Sequence, residues 1–535
     1  MNNYEIRSIR PRVNIWNDVL EGDDFINSIV SIETSKDIRE IAGRFSIVLK
    51  PMKGKYGIQS QENYWYDQFD PQDVVGITFH GDKYKEKGKD KGAQFLGIVD
   101  SVNKASSFRK DNPYRRTIIA GRDFGSLILD DDLVYAPEMF FEVNEDRTVK
   151  SEEIAKVFRN DIERRIARNL RGKHPTFTLG CLAGFGPSPG FESVRTFAGR
   201  PIIEAAKFIL ENASSIRNFV YRNKDGEIAR KMLDMDKYIT QRPGYTCMPS
   251  YALVTYQGNL LNYVREVIDE NFNELFVDTK DGVAYIRLRP FPFDRKGDVV
   301  NHKIIDASDE FCWENLTRFY DDKTGPWEID ESEVIEFKIS RSKKDVYSIF
   351  RINPVGIDVF DDIIKFMIKR SAIDLYNLVR FGLKCLTVDI KSTYKKGQEE
   401  PLTKLILECR DRLRNWYVNN PIYGCGTLQI KGREDIRIGD RVYLPWMKRK
   451  FHWKQTEDIE ARSMCKGFEY YVVGTKNRWQ FGSTYETTLT LERGQNKRML
   501  FSYGEERRAT LKYIDENFDK LFKDMGISIP PTISV

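Results

Sequence analysis

Short alternating runs of apolar and polar residues dominate the first part of the chain. Residues 26–50 fit two half-buried strands, and further strands are predicted at 74–79, 95–102 and 117–121. The inward positions of the first strand pair are Ile29, Ile32, Phe45, Ile47 and Leu49. Short strands separated by turn residues predict a small antiparallel β-barrel or sandwich over residues 1–130.

The hydrophobic period then lengthens to that of a helix. Helical spacing is found at 152–171 and is expected near 201–212, so residues 131–255 form a predicted, mainly helical insertion. A further helix with one apolar face is predicted over 258–276. Its face consists of Leu260, Leu261, Val264, Ile268, Phe272 and Leu275.

Strand patterns return after this helix. Asp281 and Gly282 stand between two alternating runs, and an Asp-Gly pair in that position is a strong hairpin signal. Strands over 277–354 together with 425–494 predict a second barrel, the last of them being four short alternating strands with glycine turns. Two helices are expected near 360–381 and 402–419.

The end of the chain is predicted to be a helix followed by an extended, proline-containing tail. Its apolar residues follow a 3-4-3-4 spacing, a narrow seam typical of a helix that pairs with another element. They are the interface candidates Leu511, Ile514, Phe518, Leu521 and Met525. Two alternatives stay open: the helix docks on another protein, or it packs on the barrel of its own chain.

These patterns divide the chain into five predicted segments. They are a first barrel (1–130), a helical insertion (131–255), a mixed α/β region with part of the second barrel (256–425), the closing strands of that barrel (426–494), and the C-terminal helix and tail (495–535). The predicted fold class is α+β, with β structure dominant.

Composition narrows the possible partners. The net charge of +5 is the difference between 85 basic and 80 acidic residues, which are interleaved rather than concentrated as a nucleic-acid site requires. An aromatic content of 13% beside 31% charge favours extensive subunit interfaces, where aromatic and arginine residues are enriched. No apolar run is long enough for a membrane span, and the first residues do not resemble a signal peptide.

The residues that usually carry chemistry do not form a site. The seven cysteines are scattered without a CxxC pair, which favours reduced thiols in a protein assembled in the cytoplasm. The four histidines are far apart, and HExxH, GxSxG and P-loop motifs are absent from the sequence. The acidic run 130–132 is interpreted as a turn, and the aromatic run 64–66 as a core or interface patch instead of a sugar platform. We expect no catalytic residues, no cofactor and no bound metal.

Three segments, in order, resemble the baseplate hub family of contractile tails. This family includes phage hub proteins, late-control-D-like proteins and the hub half of type VI secretion spike proteins. The segments are GRFSIVLKP with IIAGRDFGSLI, GNLLNYVREVIDENFNELFVDTKDGVAYIRLRPFPFD, and IKGREDIRIGDRVYLP with YYVVGTKNRWQFGSTYETTLTLERG. The resemblance covers about half of the chain and leaves 131–250 and the residues after Gly494 without a counterpart.

The resemblance implies two tail-tube-type antiparallel β-barrels per chain and a homotrimer with pseudo-sixfold symmetry. Such a hub adapts a hexameric tail tube to a trimeric central spike and forms part of the central channel. The implied partners are the tail tube protein, the spike, baseplate wedge proteins and the tape-measure protein. DNA or an effector would pass through the channel without specific binding, and the protein would reside in the tail baseplate of a virion or injection particle.

Two other functions remain open at this point. A tail-tip protein of a long non-contractile tail shares the hub fold, but usually continues into a long receptor-binding region. A hub that also hydrolyses peptidoglycan needs a pair of carboxylates across a groove. The sequence, with 80 acidic residues, identifies no such pair.

Overall fold

The computed structural model confirms a β-dominated chain. It describes residues 11–16, 28–50, 65–79, 94–108, 114–130, 132–133, 233–235, 258–267, 270–271, 273–280, 282–290, 326–343, 345–354, 372–390, 407, 409–411, 413–449, 465–483 and 485–517. The helices predicted at 152–171 and 201–212, the first part of the helix near 360–381 and the tail after 517 lie outside these residues.

The strands are numbered along the chain. They are β1 (Arg12–Trp16), β2 (Ile29–Asp37), β3 (Arg44–Leu49), β4 (Val74–Thr78), β5 (Phe95–Ser107), β6 (Tyr114–Asp123), β7 (Asp132–Leu133), β8 (Leu233–Met235), β9 (Gly258–Asn259), β10 (Asn273–Lys280), β11 (Val283–Pro290), β12 (Trp327–Glu328), β13 (Val334–Ser340), β14 (Ile349–Pro354), β15 (Ala372–Ile373), β16 (Cys385–Ile390), β17 (Gly424–Lys431), β18 (Arg441–Arg449), β19 (Cys465–Gln480) and β20 (Tyr485–Gln495).

The helices with complete bounds are fewer. They are α1 (Ser126–Leu129), α2 (Leu260–Val267), α3 (Leu375–Phe381) and α4 (Lys497–Glu516), and residues 413–417 are also helical. Among the described residues, none of the helices is long and apolar enough to cross a membrane.

One sheet of twelve strands runs through both halves of the chain. Its main path is β1-β4-β5-β6-β3-β2-β19-β20-β17-β13, while β18 pairs with β19 and β12 pairs with β18. The first six strands of the path come from the N-terminal part, and the rest come from the C-terminal part. The antiparallel pairing of β2 with β19 joins the two halves edge to edge.

Each half has its own apolar core. The first core contains the five inward positions predicted for the first strand pair, each at most 3% exposed. The second core lies around β17 to β20 and includes Leu428, Phe468, Tyr470 and Leu489. Along β20 every second residue from Tyr485 to Leu491 is buried. This is the alternation of a strand that covers a core with one of its faces.

The hairpin β19–β20 belongs to both cores. Residues near its base, such as Val472, lie in the second core, whereas Trp479 and Tyr485 at its tip lie in the first. The ring of Tyr485 stacks on Phe79 with centroids 4.7 Å apart and an interplanar angle of 8°. Apolar packing therefore couples the halves in addition to the β2–β19 hydrogen bonds.

The hairpin predicted at Asp281-Gly282 is confirmed, with β10 and β11 in register and Gly282 at φ 80°. These strands do not join the large sheet that contains the strands of 425–494. The two strands form a separate three-stranded sheet with β8. Similarly, β14 lies in a small sheet with β15 and β16, so of the strands expected within 277–354 only β13 and the short β12 join the large sheet.

The helix predicted over 258–276 is shorter than expected. It ends at Val267, with Leu261 and Val264 buried as predicted, while Ile268 and Phe272 lie outside the described residues. Leu275 is not on the helix but in β10, opposite Leu288 of β11. A buried position at Leu275 fits both the helical and the strand spacing of apolar residues. The tight Asp-Gly hairpin therefore decides that this segment is a strand.

We expect Trp479→Ala to lower the free energy of unfolding by about 3–5 kcal/mol, because it empties an indole site in the first core. Urea denaturation followed by circular dichroism measures this loss. Phe481→Ala is the matched control, since Phe481 stands at the same hairpin end but is 67% exposed. The control should change stability by less than about 1 kcal/mol. Equal effects of the two substitutions would contradict the shared-core interpretation.

Candidate assembly interface

The two ends of the large sheet are candidate contact edges. In the described part of the chain, β1 pairs only with β4 and β13 pairs only with β17. On β13, Ile335 is 48% exposed, and Lys338 forms an ion pair with Glu336 at 2.6 Å. A strand edge presents unpaired backbone N–H and C=O groups, so it is a ready surface for pairing with another chain.

The strands near this edge share a polar face. In register, Lys338 lies opposite Thr427, which lies opposite Thr490 on the next strand. The row beside it contains Gln429 opposite Thr488, and Lys476 follows on β19. This face extends across four neighbouring strands and carries hydroxyl, amide and charged groups.

Thr487 does not belong to this face. Neighbouring residues of a strand point to opposite faces, so Thr487 points away from the side that carries Thr488. Thr487 is fully buried at 0% exposure, where its hydroxyl donates to the Asn477 side-chain oxygen at 2.7 Å.

The C-terminal helix α4 packs on its own chain over its described length. Asn496 caps the N-terminus of α4. Its side-chain oxygen accepts a hydrogen bond from the Met499 backbone N–H at 2.7 Å. Of the interface candidates, Ile514 is 2% exposed and Leu511 packs against the second core. Phe518, Leu521 and Met525 lie outside the described residues, so a partner contact through this segment stays a prediction.

An ion pair buried beside α3 anchors α4. The Asp374 carboxylate accepts from the Arg507 guanidinium, and both side chains are at most 3% exposed. Arg414 approaches the same carboxylate at 3.5 Å. Burial raises the pKa of Tyr503, which is next to this pair on α4, to about 12, so its hydroxyl stays neutral. The helix is therefore integral to the C-terminal half.

A second charged cluster joins the hairpin β10–β11 to the large sheet. Asp278 accepts from Arg437 at 3.2 Å and pairs with Arg287 at 3.3 Å. Lys36 of β2 pairs with Asp123 of β6 at 3.4 Å and donates to the Thr279 hydroxyl at 3.2 Å. Side chains from both halves and from the hairpin thus meet at one buried place.

The two carboxylates of this cluster are held differently. Burial raises the pKa of Asp123, and the nearby Lys36 only partly offsets that effect. Burial also acts to raise the pKa of Asp278, but Arg437, Arg287 and Lys36 together lower it below its ordinary value. Asp278 is therefore the carboxylate whose negative charge the surrounding cations stabilise most.

Sequence reasoning missed this cluster. Lys36 and Asp278 stand in alternating strands among many other charges, so each is indistinguishable from a solvated face residue. No local signal shows that their strands meet, because they are 242 positions apart along the printed chain. Only the tertiary fold brings them together.

Other candidate positions have structural roles in the described residues. Trp65 is 2% exposed in the first core, as one of the two interpretations of the aromatic run predicts, and Tyr66 is 43% exposed. Asp130 pairs with Arg122 at 2.7 Å. In the parts of the chain that the structure describes, no group of three or more His, Cys, Asp or Glu side chains could hold a metal ion. All four histidines lie outside those parts.

The comparisons with known proteins give structural neighbours only. No protein-family model and no curated protein matches the chain. It is similar to the tail protein from Neisseria meningitidis MC58, at 10% identity and a TM-score of 0.44, over 92% of this chain and 98% of that one. It is also similar to the 43 kDa tail protein of prophage MuSo2 from Shewanella oneidensis, at 8% identity and a TM-score of 0.40, over 92% and 98% of the two chains.

A third neighbour is an Escherichia coli component of the type VI secretion system, which is described as structurally similar to the bacteriophage T4 tail proteins gp27 and gp5. Identity is 7% and the TM-score 0.35, over 91% of this chain and 78% of that one. The structural neighbours are thus phage tail proteins and type VI secretion proteins.

We expect Asp278→Asn to lower the free energy of unfolding by about 3–5 kcal/mol near neutral pH, because buried cations lose their shared carboxylate. The folded-state pKa of Asp278 lies below its unfolded value, so its stabilisation is present above the unfolded pKa and is lost as the pH falls through the folded one. The difference between wild type and variant should therefore shrink below about pH 4. Urea denaturation at several pH values measures it.

Glu33→Gln is the control for this experiment. Glu33 pairs with Lys476 at 2.7 Å on the surface, where the two side chains are 44% and 51% exposed. Its loss should cost less than about 1 kcal/mol. A difference between wild type and Asp278→Asn that does not change with pH would contradict the assignment of a lowered pKa.

Proposed function

We propose that the chain is the structural baseplate hub of a contractile tail, which adapts a hexameric tail tube to a trimeric central spike. The observation that carries this proposal is the continuous sheet, in which two halves with separate cores are joined edge to edge through β2 and β19. On this proposal the two halves of one chain are two tube-type units in a fixed relation. Three chains then offer six.

The two halves are proposed to be tail-tube-type β-barrels. In a homotrimer they alternate around the axis and give pseudo-sixfold symmetry, so one side of the ring matches the tube and the other matches the spike. The exposed edge of β13 is the proposed contact with the neighbouring copy, because edge strands in a stable assembly are paired or covered.

The polar face across β13, β17, β20 and β19 is the proposed wall of the channel. Its hydroxyl and amide groups include Thr488, Thr490 and Gln429, and its charges include Lys338 and Lys476. Such a wall offers no large apolar surface to which DNA or an unfolded effector would adhere. The channel would therefore pass its cargo without specific binding.

The proposed partners are the tail tube protein, the central spike, baseplate wedge proteins and the tape-measure protein. The role is non-enzymatic, and the protein belongs to the baseplate of a virion or of a phage-like injection particle assembled in the bacterial cytoplasm. The segment after α4, with Phe518, Leu521 and Met525, is the proposed contact with the spike or another baseplate component.

We expect the purified chain, co-expressed with its spike, to be a trimer, because two units per chain close a ring of six only with three copies. Light scattering after size-exclusion chromatography measures the mass. Ile335→Glu places a charge on the exposed edge of β13 and should abolish the trimer without unfolding the chain. A monomeric or dimeric complex of the wild-type chain with the spike would refute the proposal.

Two deletions separate the roles of the C-terminal region. Removing residues 518–535 keeps α4 and its Arg507–Asp374 pair, so folding and trimer formation should persist while spike binding is lost. Removing 505–535 deletes Arg507 and should destabilise the C-terminal half, as thermal unfolding would show. Full spike binding by the shorter deletion would show that the segment is not the contact.

A further inference from the structure

A cleft of about 490 Å³ opens where the β2–β3 turn, β10, the base of the β19–β20 hairpin and residues 413–425 meet. Its volume falls within the roughly 300–1,000 Å³ of typical ligand sites. The wall is rich in aromatic side chains, among them Tyr347, Trp416, Tyr417 and Tyr423. Tyrosine and tryptophan are the residues that most often dominate binding energy at protein interfaces.

One part of this wall already holds a cation. The guanidinium carbon of Arg493 lies 3.6 Å from the ring centroid of Trp416 and 4.5 Å from that of Tyr423. The same group donates to the Trp416 carbonyl at 2.7 Å and to the Asn420 side-chain oxygen at 3.3 Å. Arg493 adopts φ 55°, a left-handed conformation that is uncommon for residues other than glycine. The cleft is thus built to hold a guanidinium against aromatic rings.

A second aromatic pair lines the same cleft. Tyr347 and Tyr417 meet edge to face, with centroids 5.3 Å apart and an interplanar angle of 89°. Burial, followed by the nearby carboxylate of Asp345, raises the pKa of Tyr347, and burial also raises that of Tyr417. Both phenols therefore remain neutral and present electron-rich ring faces, which attract cations.

The charges around the second pair are mixed: Arg493 and Arg39 are near enough to act on Tyr417, but each has its own partners, whereas one carboxylate beside the pair does not. Of the arginines in the cleft, Arg39 pairs with Glu492, and Arg265 lies 3.3 Å from Glu270. Arg493 is committed to Trp416 and its neighbours. The carboxylate of Asp345, by contrast, has no cation within ion-pair distance in the described part of the chain, and it lies at the tyrosine pair. A positive group placed there would lie against the tyrosine pair and beside a carboxylate.

We propose that this cleft binds an arginine or lysine side chain presented by an extended segment of a partner protein, with the cation against Tyr347 and Tyr417 and paired with Asp345. An uncharged oligosaccharide could use the rings and hydroxyls, but it would leave the carboxylate without a partner. The proposal does not depend on the hub function, since it concerns a peptide and a single chain.

The test uses the full-length chain and two short blocked alanine peptides, one with a central arginine and the other with citrulline, which has nearly the same shape and no charge. Titration calorimetry measures both affinities, and chitotetraose is titrated as the oligosaccharide probe. The arginine peptide should bind, whereas citrulline and sugar should bind at least about fivefold more weakly, since a charge-assisted contact is lost.

Variants then assign the contact. Asp345→Asn should weaken binding of the arginine peptide by about two- to fivefold, as expected for a solvent-accessible ion pair. Tyr417→Leu should weaken it similarly, whereas Tyr417→Phe keeps the ring and should bind within about twofold of wild type. Asp515→Asn changes an exposed carboxylate on α4 outside the cleft; it is the matched control and should have no effect.

Other results overturn the proposal. Equal affinity for the citrulline peptide would show that charge plays no part, and preferential binding of chitotetraose would identify a sugar site instead. Absence of binding by the arginine peptide, or an equal loss with Asp345→Asn and Asp515→Asn, would also overturn it. A monomeric chain that binds the arginine peptide would contradict the hub proposal and leave this one supported.

Discussion

The antiparallel pairing of β2 with β19 is the constraint on which the rest of the structure depends. It runs from Asp37 opposite Gly474 to Ser31 opposite Gln480, and two backbone hydrogen bonds of 2.8 Å extend it, from Ile38 to Val473 and from Phe481 to Val30. A slip of one residue would turn every side chain of β19 to the other face. Trp479 would then leave the first core, and the relation between the halves would be lost.

The buried charges at this seam add orientation to the pairing. Burial of Asp123 costs free energy that the attraction of Lys36 only partly offsets, whereas the cations around Asp278 outweigh the effect of its burial. An apolar contact of the same area would tolerate many orientations of the hairpin, because it has no direction. The Asp278 carboxylate must lie within reach of both Arg437 and Arg287, so it permits only one orientation of the hairpin. The cluster therefore fixes how the sheet of β10 and β11 is oriented on the large sheet.

The sequence was sufficient for the local structure because strand and turn signals are local. The inward positions of β2 and β3, the Asp-Gly turn and the four strands after residue 424 follow from period and turn chemistry alone. Sheet membership did not follow, because β14 pairs in parallel with β16 across a connection that contains α3. Parallel partners leave no adjacent turn as a signal. The charged cluster and the aromatic cleft were inaccessible for the same reason, since Lys36 and Asp278, or Tyr347 and Arg493, meet only through the tertiary fold.

The two ends of the large sheet differ, and this difference restricts how copies can associate. If the edge of β13 meets β1 of the next copy, unlike surfaces are joined, so the contact is heterologous. Copies joined in this way form a closed ring only when the rotation from one copy to the next is a whole-number fraction of 360°. Otherwise they form an open filament. The rotation depends on the angle between the halves, which β2, β19 and the buried charges hold fixed. The proposed threefold ring therefore requires a rigid seam inside each chain.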